Sequence, residues 1–228
     1  MADDTIRSTP AVADPAPLGL GAFALTTFVL SVHNAGWAPD LVWVGLALFY
    51  GGLAQFLAGM WEFRNRNTFG STAFTSYGSF WLSLAAFVVL DLFGKVPSGV
   101  NVAHALGWFL LAFAIFNTYM LLWSTMVNRA VFLVFLTLEV TEILLFIGFF
   151  AGQAAGDGLV MVGGWVGVLT ALVAWYASAA GVANAMAQRP VLPLGGPMWN
   201  PPSGLVRPGS PMPRIEDTGG GTPSIGST

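Results

Sequence analysis

The amino-acid sequence predicts an all-α membrane protein, built as a bundle of six transmembrane helices. Hydrophobic residues make up 55% of its 228 positions and charged residues only 8%, whereas a soluble domain carries about 25% charged residues. Six separate windows are long and apolar enough to cross a hydrocarbon layer of about 30 Å, which takes roughly 20 residues. These features argue against a soluble globular enzyme and against extensive disorder.

The predicted spans are joined by short connections, in which Gly and Pro stop helices or turn the chain. None of these connections is long enough to hold a second domain, so a single bundle is expected. The predicted spans are Leu18–Val32, Leu41–Met60, Thr72–Leu92, Val102–Trp123, Val131–Phe150 and Leu159–Met186.

The first two spans end at polar residues. His33 and Asn34 close the first span and are interpreted as interfacial residues. Glu62 follows the second span just before Arg64 and Arg66. A local ion pair is expected for Glu62, and a role in gating is the open alternative.

The third span begins in a segment that is rich in hydroxyl groups, and polar groups at membrane depth tend to line a cavity or to join helices. Short donors without a fixed positive charge could replace the hydration of a small anion. Gln55 on the second span could add an amide donor, and Phe23 and Tyr77 could form a hydrophobic narrowing. The hydroxyl residues are Thr68, Ser71, Thr72, Thr75, Ser76, Tyr77 and Ser79.

The fourth span carries His104 in its first turn, again interpreted as interfacial, and the fifth carries two carboxylates. Glu139 and Glu142 are three residues apart and therefore share a face of the helix. A central charge costs about 2.5–3.5 kcal/mol on insertion scales. The pair is expected to face a wet interior, to bind a proton, to pair with a cation, or to hydrogen-bond neighbouring helices.

The sixth span carries a stripe of small residues, and such stripes let transmembrane helices approach closely. Helix packing is the default interpretation, and a pore-lining stripe is the alternative. The stripe is Gly167, Ala171, Ala174, Ser178 and Gly181.

Motifs of enzymes, cofactor sites and metal sites are missing from the sequence. It has no Cys and only two His, and it lacks a phosphate-binding loop, a dinucleotide fingerprint and a catalytic triad. No enzymatic activity, cofactor or metal is therefore expected. A net charge of −3 with eight basic residues argues against a nucleic-acid partner.

Six spans put both termini on the same side of the membrane. Every arginine falls on that side and Lys95 alone on the other, so the termini are expected to be cytoplasmic. Residues 1–13 form a polar N-terminal tail without the pattern of a signal peptide. Residues 14–188 form the membrane domain, and residues 189–228, rich in Pro, Gly and Ser, are expected to be disordered and dispensable.

Two segments resemble the acetate uptake transporter family, which includes bacterial acetate/succinate transporters and yeast acetate and ammonium-export proteins. DPAPLGL at Asp14–Leu20 resembles the family motif Asn-Pro-Ala-Pro-Leu-Gly-Leu, with Asp14 in place of Asn. The segment Phe49–Trp81 is similar to the second family signature. Glu139 and Glu142 do not belong to the family pattern.

The resemblance implies a homo-hexamer in the cell membrane, with a pathway for acetate and possible succinate transport through each protomer. It implies either an anion channel or a proton symporter. An ammonium/ammonia pathway and a non-transporting membrane sensor are the rival hypotheses. The implied constriction is formed by Phe23, Tyr77 and Leu138. The expected polar lining is Gln55, Thr75 and Asn34, and Ala174 is expected to tune substrate size. Apart from the resemblance, the three carboxylates are expected to be either linked to protons or structural: Glu62, Glu139 and Glu142.

Overall fold

The computed structural model describes residues 12–199, which form six long helices and no strand. All six helices are long and apolar enough to span a membrane, which confirms the predicted fold class. Residues 1–11 and 200–228, including most of both predicted tails, lie outside the described part. The helices are α1 (Ala16–Asn34), α2 (Val42–Arg64), α3 (Thr68–Leu92), α4 (Val102–Ser124), α5 (Arg129–Phe150) and α6 (Gly158–Ala187).

Asparagine caps explain why two helices start earlier than their apolar windows. The Asn67 side chain accepts a hydrogen bond from the Gly70 N–H, and the Asn128 side chain accepts one from the Val131 N–H. These bonds satisfy backbone donors that have no partner inside the helix. Helices α3 and α5 therefore include a polar first turn that a hydropathy window leaves out.

Helix α2 contains a π-helical segment, Phe49–Ala54, near its middle. Two glycines in this segment lie where neighbouring helices come close. A methyl group at Gly51 would overlap Thr26 of α1, and one at Gly52 would overlap both the Ala47 carbonyl oxygen within α2 and Leu82 of α3. Glycine is therefore required for α1, α2 and α3 to approach one another.

The small-residue stripe of α6 packs against α1. The Ser178 hydroxyl donates to the Pro17 carbonyl at 2.6 Å, and a methyl group at Gly167 would overlap Ser31. Ala171 and Ala174 are completely buried. The packing interpretation of the stripe is therefore confirmed, and the contact lies inside one protomer.

Residues 190–199, here called the C-terminal strap, follow α6 and lie against the bundle without regular secondary structure. The Asn184 side chain accepts hydrogen bonds from the Val191 and Leu192 N–H groups. The Tyr176 hydroxyl donates to the Pro193 carbonyl at 2.7 Å. The strap differs here from the predicted disordered tail, because polar side chains on α6 hold its backbone.

The strap predicts different effects for two truncations. Ending the chain after Gln188 should lower the unfolding temperature by about 5 °C, because it removes several hydrogen bonds worth roughly 0.5–1.5 kcal/mol each. Ending the chain after Trp199 should leave that temperature unchanged. The measurement is thermal unfolding of the purified chains in one detergent, and equal midpoints for the two truncations would contradict a stabilising strap.

Candidate functional site

Two cavities enter the bundle from opposite ends. The loop-side cavity has a volume of about 260 Å³ and opens near the α1–α2, α3–α4 and α5–α6 connections. The terminal-side cavity has a volume of about 280 Å³ and opens where α1 begins and α6 ends. They lie between the same helices α1, α3 and α5 and approach each other from opposite ends of the bundle.

A thin layer of buried side chains separates the cavities. Phe23, Tyr77 and Leu138 line the loop-side cavity. Residues three or four positions earlier on the same helices line the terminal-side cavity: Leu20, Ala73 and Phe135. At 1.5 Å per helical residue, the two sets are about 4.5–6 Å apart.

The structure thus brings the three predicted constriction residues together. Phe23, Tyr77 and Leu138 are 3–6% exposed, and the rings of Phe23 and Tyr77 meet edge to face with centroids 5.8 Å apart. These three side chains and their neighbours one turn away are here called the barrier layer. Between the two cavities the described side chains form an apolar layer.

A hydrogen-bond network ties the barrier layer to α4 and α5. The Tyr77 hydroxyl donates to Asn117 Oδ1 at 2.8 Å. Asn117 Nδ2 donates to the Phe135 carbonyl at 3.0 Å and to Glu139 Oε2 at 2.7 Å. The Thr118 hydroxyl donates to Glu139 Oε1 at 2.7 Å.

The two glutamates of α5 have different surroundings. Glu139 is partly buried and accepts hydrogen bonds from α4. This agrees with the alternative that the carboxylates hydrogen-bond neighbouring helices. Glu142 is 2% exposed and lines the loop-side cavity beside Tyr77. Its Oε2 atom has no hydrogen-bond partner within the described residues.

The three predicted polar lining residues do not all lie along the path. Asn34 is buried and lines the loop-side cavity. Thr75 lies against Gly59 of α2, where a methyl group on the glycine would overlap it. Gln55 is 1% exposed. Neither Thr75 nor Gln55 is among the lining residues of the two cavities.

Glu62 lies inside the bundle, so the expected ion pair with Arg64 or Arg66 is wrong. Glu62 is fully buried and lines the terminal-side cavity, whereas both arginines are exposed. Asn65 Nδ2 donates to Glu62 Oε2 at 3.3 Å. In residues 12–199, no salt bridge joins Glu62 to an arginine.

Ala174 packs in the same hydrophobic cluster as Phe23, Tyr77 and Leu138. It is completely buried and lines neither cavity. A larger side chain at position 174 would therefore affect the barrier layer only by displacing the side chains packed around it. The role of Ala174 in size selectivity stays a prediction.

Asn117 and Thr118 are the site residues that the sequence analysis missed. They form the polar pair in the middle of an otherwise apolar α4. Amide and hydroxyl groups inside membrane helices commonly hydrogen-bond across helices. The pair could therefore have been predicted from the sequence to hydrogen-bond another helix. The sequence does not show that its partners are Tyr77 and Glu139.

The comparisons with known proteins identify the family of this chain. Residues 5–195 match the GPR1/FUN34/yaaH family. The chain belongs to this family. It is an integral multi-pass membrane protein, as its six candidate spans and its transporter relatives show.

Among its relatives in the GPR1/FUN34/yaaH family, the succinate-acetate/proton symporter SatP of Escherichia coli is 40% identical over 185 residues. This match covers 81% of the chain and 96% of SatP. The solved structure of the bacterial acetate channel SatP superposes with a TM-score of 0.76 and covers 81% of this chain and 100% of that one. Ammonia transport outward protein 2 of Saccharomyces cerevisiae is 46% identical over 75% of the chain, but the match spans only 62% of the yeast protein.

Proposed function

We propose that the chain carries acetate and similar small carboxylates across a membrane, along a path inside each protomer. The observation that carries the proposal is the pair of cavities that meet at the barrier layer of Phe23, Tyr77 and Leu138. The names of the bacterial relatives give the substrate class. The path belongs to the membrane domain at residues 14–188, and no enzymatic step is part of this function.

The barrier layer would select solutes by size and by the cost of dehydration. A carboxylate that reaches the end of either cavity must leave water to enter an apolar layer only about one helical turn thick. Hydrophobic constrictions of this kind gate by dewetting. Phe23 and Leu138 would set the width, and the network around Asn117 would hold the Tyr77 ring in place.

Assembly and orientation are proposed on the family resemblance and the charge pattern. We expect a homo-hexamer in the cell membrane, with both termini in the cytoplasm, where all the arginines would lie. The outward faces of the helices expose large apolar side chains, among them Phe49, Ile115 and Leu122, which suit lipid or neighbouring protomers. A native mass of six chains in mild detergent is expected, and a monomer with full transport activity would contradict it.

An ammonium path is the second candidate function, since one relative is named for outward ammonia transport. The terminal-side cavity supports it, because Asp14 and Glu62 line that cavity and none of its described lining residues is basic. A carboxylate-lined entrance attracts cations. Competition by ammonium for acetate flux would distinguish one shared path from a carboxylate path alone.

The deciding experiment is uptake of labelled acetate into proteoliposomes at neutral pH. Initial rates should exceed those of protein-free vesicles, which measure acetic acid that crosses the lipid unaided. A protein with no acetate flux above this background, and with normal reconstitution, would reject the proposed function. Uptake of labelled methylammonium in the same vesicles tests the second candidate.

A further inference from the structure

Glu142 is a buried carboxyl group at the wall of the loop-side cavity, and contacts with neighbouring helices in the described part of the chain leave one of its oxygens without a partner. Its side chain is 2% exposed and lines the loop-side cavity next to Tyr77 and Leu138, at the barrier layer. Oε2 has no partner in the described residues. Oε1 lies 3.4 Å from the Tyr77 hydroxyl oxygen. A buried carboxyl group with one unpartnered oxygen at a cavity wall is available to a ligand.

The hydrogen bonds around Tyr77 show where its hydroxyl proton goes. Asn117 Nδ2 donates to the Phe135 carbonyl and to Glu139, so the orientation of the Asn117 amide is fixed. Asn117 Oδ1 must therefore accept, and it lies 2.8 Å from the Tyr77 hydroxyl. A phenol has one proton, and the shorter contact uses it. The Tyr77 hydroxyl then has no proton to donate to Glu142, so a proton held on Oε2 of Glu142 is free for a ligand in the loop-side cavity.

Among the described residues, no lysine or arginine lines the cavity wall beside Glu142. Tyr77 on α3 and Glu139 on α5 are its nearest titratable neighbours, and α6 presents the neutral Thr170 to the adjacent Thr141. His33, Asp40 and Asp91 are the other titratable residues described along the cavity wall, and His33 lies 3.5 Å from Asp40. An ionised Glu142 would therefore repel an incoming carboxylate.

We propose that Glu142 is the residue that hands the accompanying proton to the substrate carboxylate at the barrier layer. This inference rests on the proposed function. The protonated Oε2 donates a hydrogen bond to a carboxylate in the loop-side cavity, and carboxyl–carboxylate contacts of this kind are short and strong. Glu142 then acts as a binding and proton-transfer residue of the path.

The proton balance of this step is simple. The proton leaves Glu142 and joins an oxygen of acetate, so the substrate enters the apolar layer as neutral acetic acid. The ionised Glu142 takes a proton from water in the loop-side cavity. One anion and one proton therefore cross together, and no net charge moves.

Glu139 provides a matched control on the same helix. It lies one turn before Glu142, but both of its carboxylate oxygens accept hydrogen bonds from α4, and it lines neither cavity. Glu139→Gln makes the same chemical change at a residue that lines neither cavity. Glu142→Gln keeps the shape and a donor group at the cavity wall, but it holds no exchangeable acid proton.

The test measures initial acetate uptake in proteoliposomes while a potassium diffusion potential is imposed, with protein-free vesicles subtracted. Wild-type uptake and Glu139→Gln uptake should not respond to the potential. Uptake through Glu142→Gln should change by about threefold or more on reversing its sign, because the anion then crosses alone and the potential acts on one elementary charge. Unfolding temperatures monitor the folding of both variants.

The outcomes separate this inference from the proposed function. Wild-type uptake that responds to the potential overturns the inference, even if Glu142→Gln does not fold. A folded Glu142→Gln protein whose uptake stays insensitive to the potential, or that has lost uptake, also overturns it. In each of these cases the wild type still transports acetate, so the proposed function is not contradicted. A wild type with no acetate flux rejects the proposed function itself.

Discussion

Replacing Leu138 with alanine is expected to raise the flux of lactate relative to acetate by about tenfold. Leu138 is 6% exposed and forms the α5 side of the barrier layer. The change removes three carbon atoms from an apolar wall, and each methylene contributes about 0.8 kcal/mol of burial. A wider layer is easier to wet and admits a larger monocarboxylate. The measurement is the ratio of initial lactate and acetate uptake in liposomes at matched protein content.

Leu136→Ala is the matched control for this change. Leu136 lies two residues earlier on α5, is 37% exposed, and lines neither cavity. Its truncation should leave the ratio unchanged. If Leu138→Ala also leaves the ratio unchanged while the protein stays folded, the barrier layer does not select substrates, and Leu138 only packs helices.

Replacing Asn117 with alanine is expected to lower the free energy of unfolding by about 3 kcal/mol, the largest stability loss anticipated for a single side chain here. Asn117 is completely buried and bonds to Tyr77, Glu139 and the Phe135 carbonyl. The substitution leaves all three groups without this partner. Measurements of unfolding in detergent, by heat or denaturant, report the loss.

Two further variants identify the cause of that loss. Asn117→Leu restores side-chain volume without restoring the hydrogen bonds, so it should be about as unstable as Asn117→Ala. Thr118→Val removes a single donor to Glu139 at an exposed position and should cost well under 1 kcal/mol. Recovery of stability in Asn117→Leu would show that volume matters at this position and that the network does not.

The membrane architecture could be predicted from the sequence because each span carries its own signal. Twenty apolar residues in a row satisfy their backbone hydrogen bonds inside one helix, so a span does not depend on distant contacts. The caps at Asn67 and Asn128 are also local, although hydropathy alone left out the turns they start. A narrowing at Phe23 and Tyr77 was predicted from the residues, and the family resemblance added Leu138.

The direction of individual side chains depended on tertiary structure. Thr75 lies two residues before Tyr77 and therefore points away from the path, toward Gly59 on α2. Glu139 and Glu142 are neighbours on one helix, yet one bonds to α4 and the other faces the loop-side cavity. A spacing of three residues still leaves a difference of about 60° around a helix with 3.6 residues per turn. The packing of the neighbouring helices decides what each side chain meets.

By itself, the sequence determined the membrane class, the number of spans and their order, because these follow from apolar length along the chain. Only the tertiary structure decided the network of Asn117, the buried position of Glu62 and the course of the C-terminal strap. Each depends on groups that are distant in sequence and meet when the helices pack. A polar group in an apolar interior is stable where a partner satisfies it, and the sequence does not state where that partner will lie.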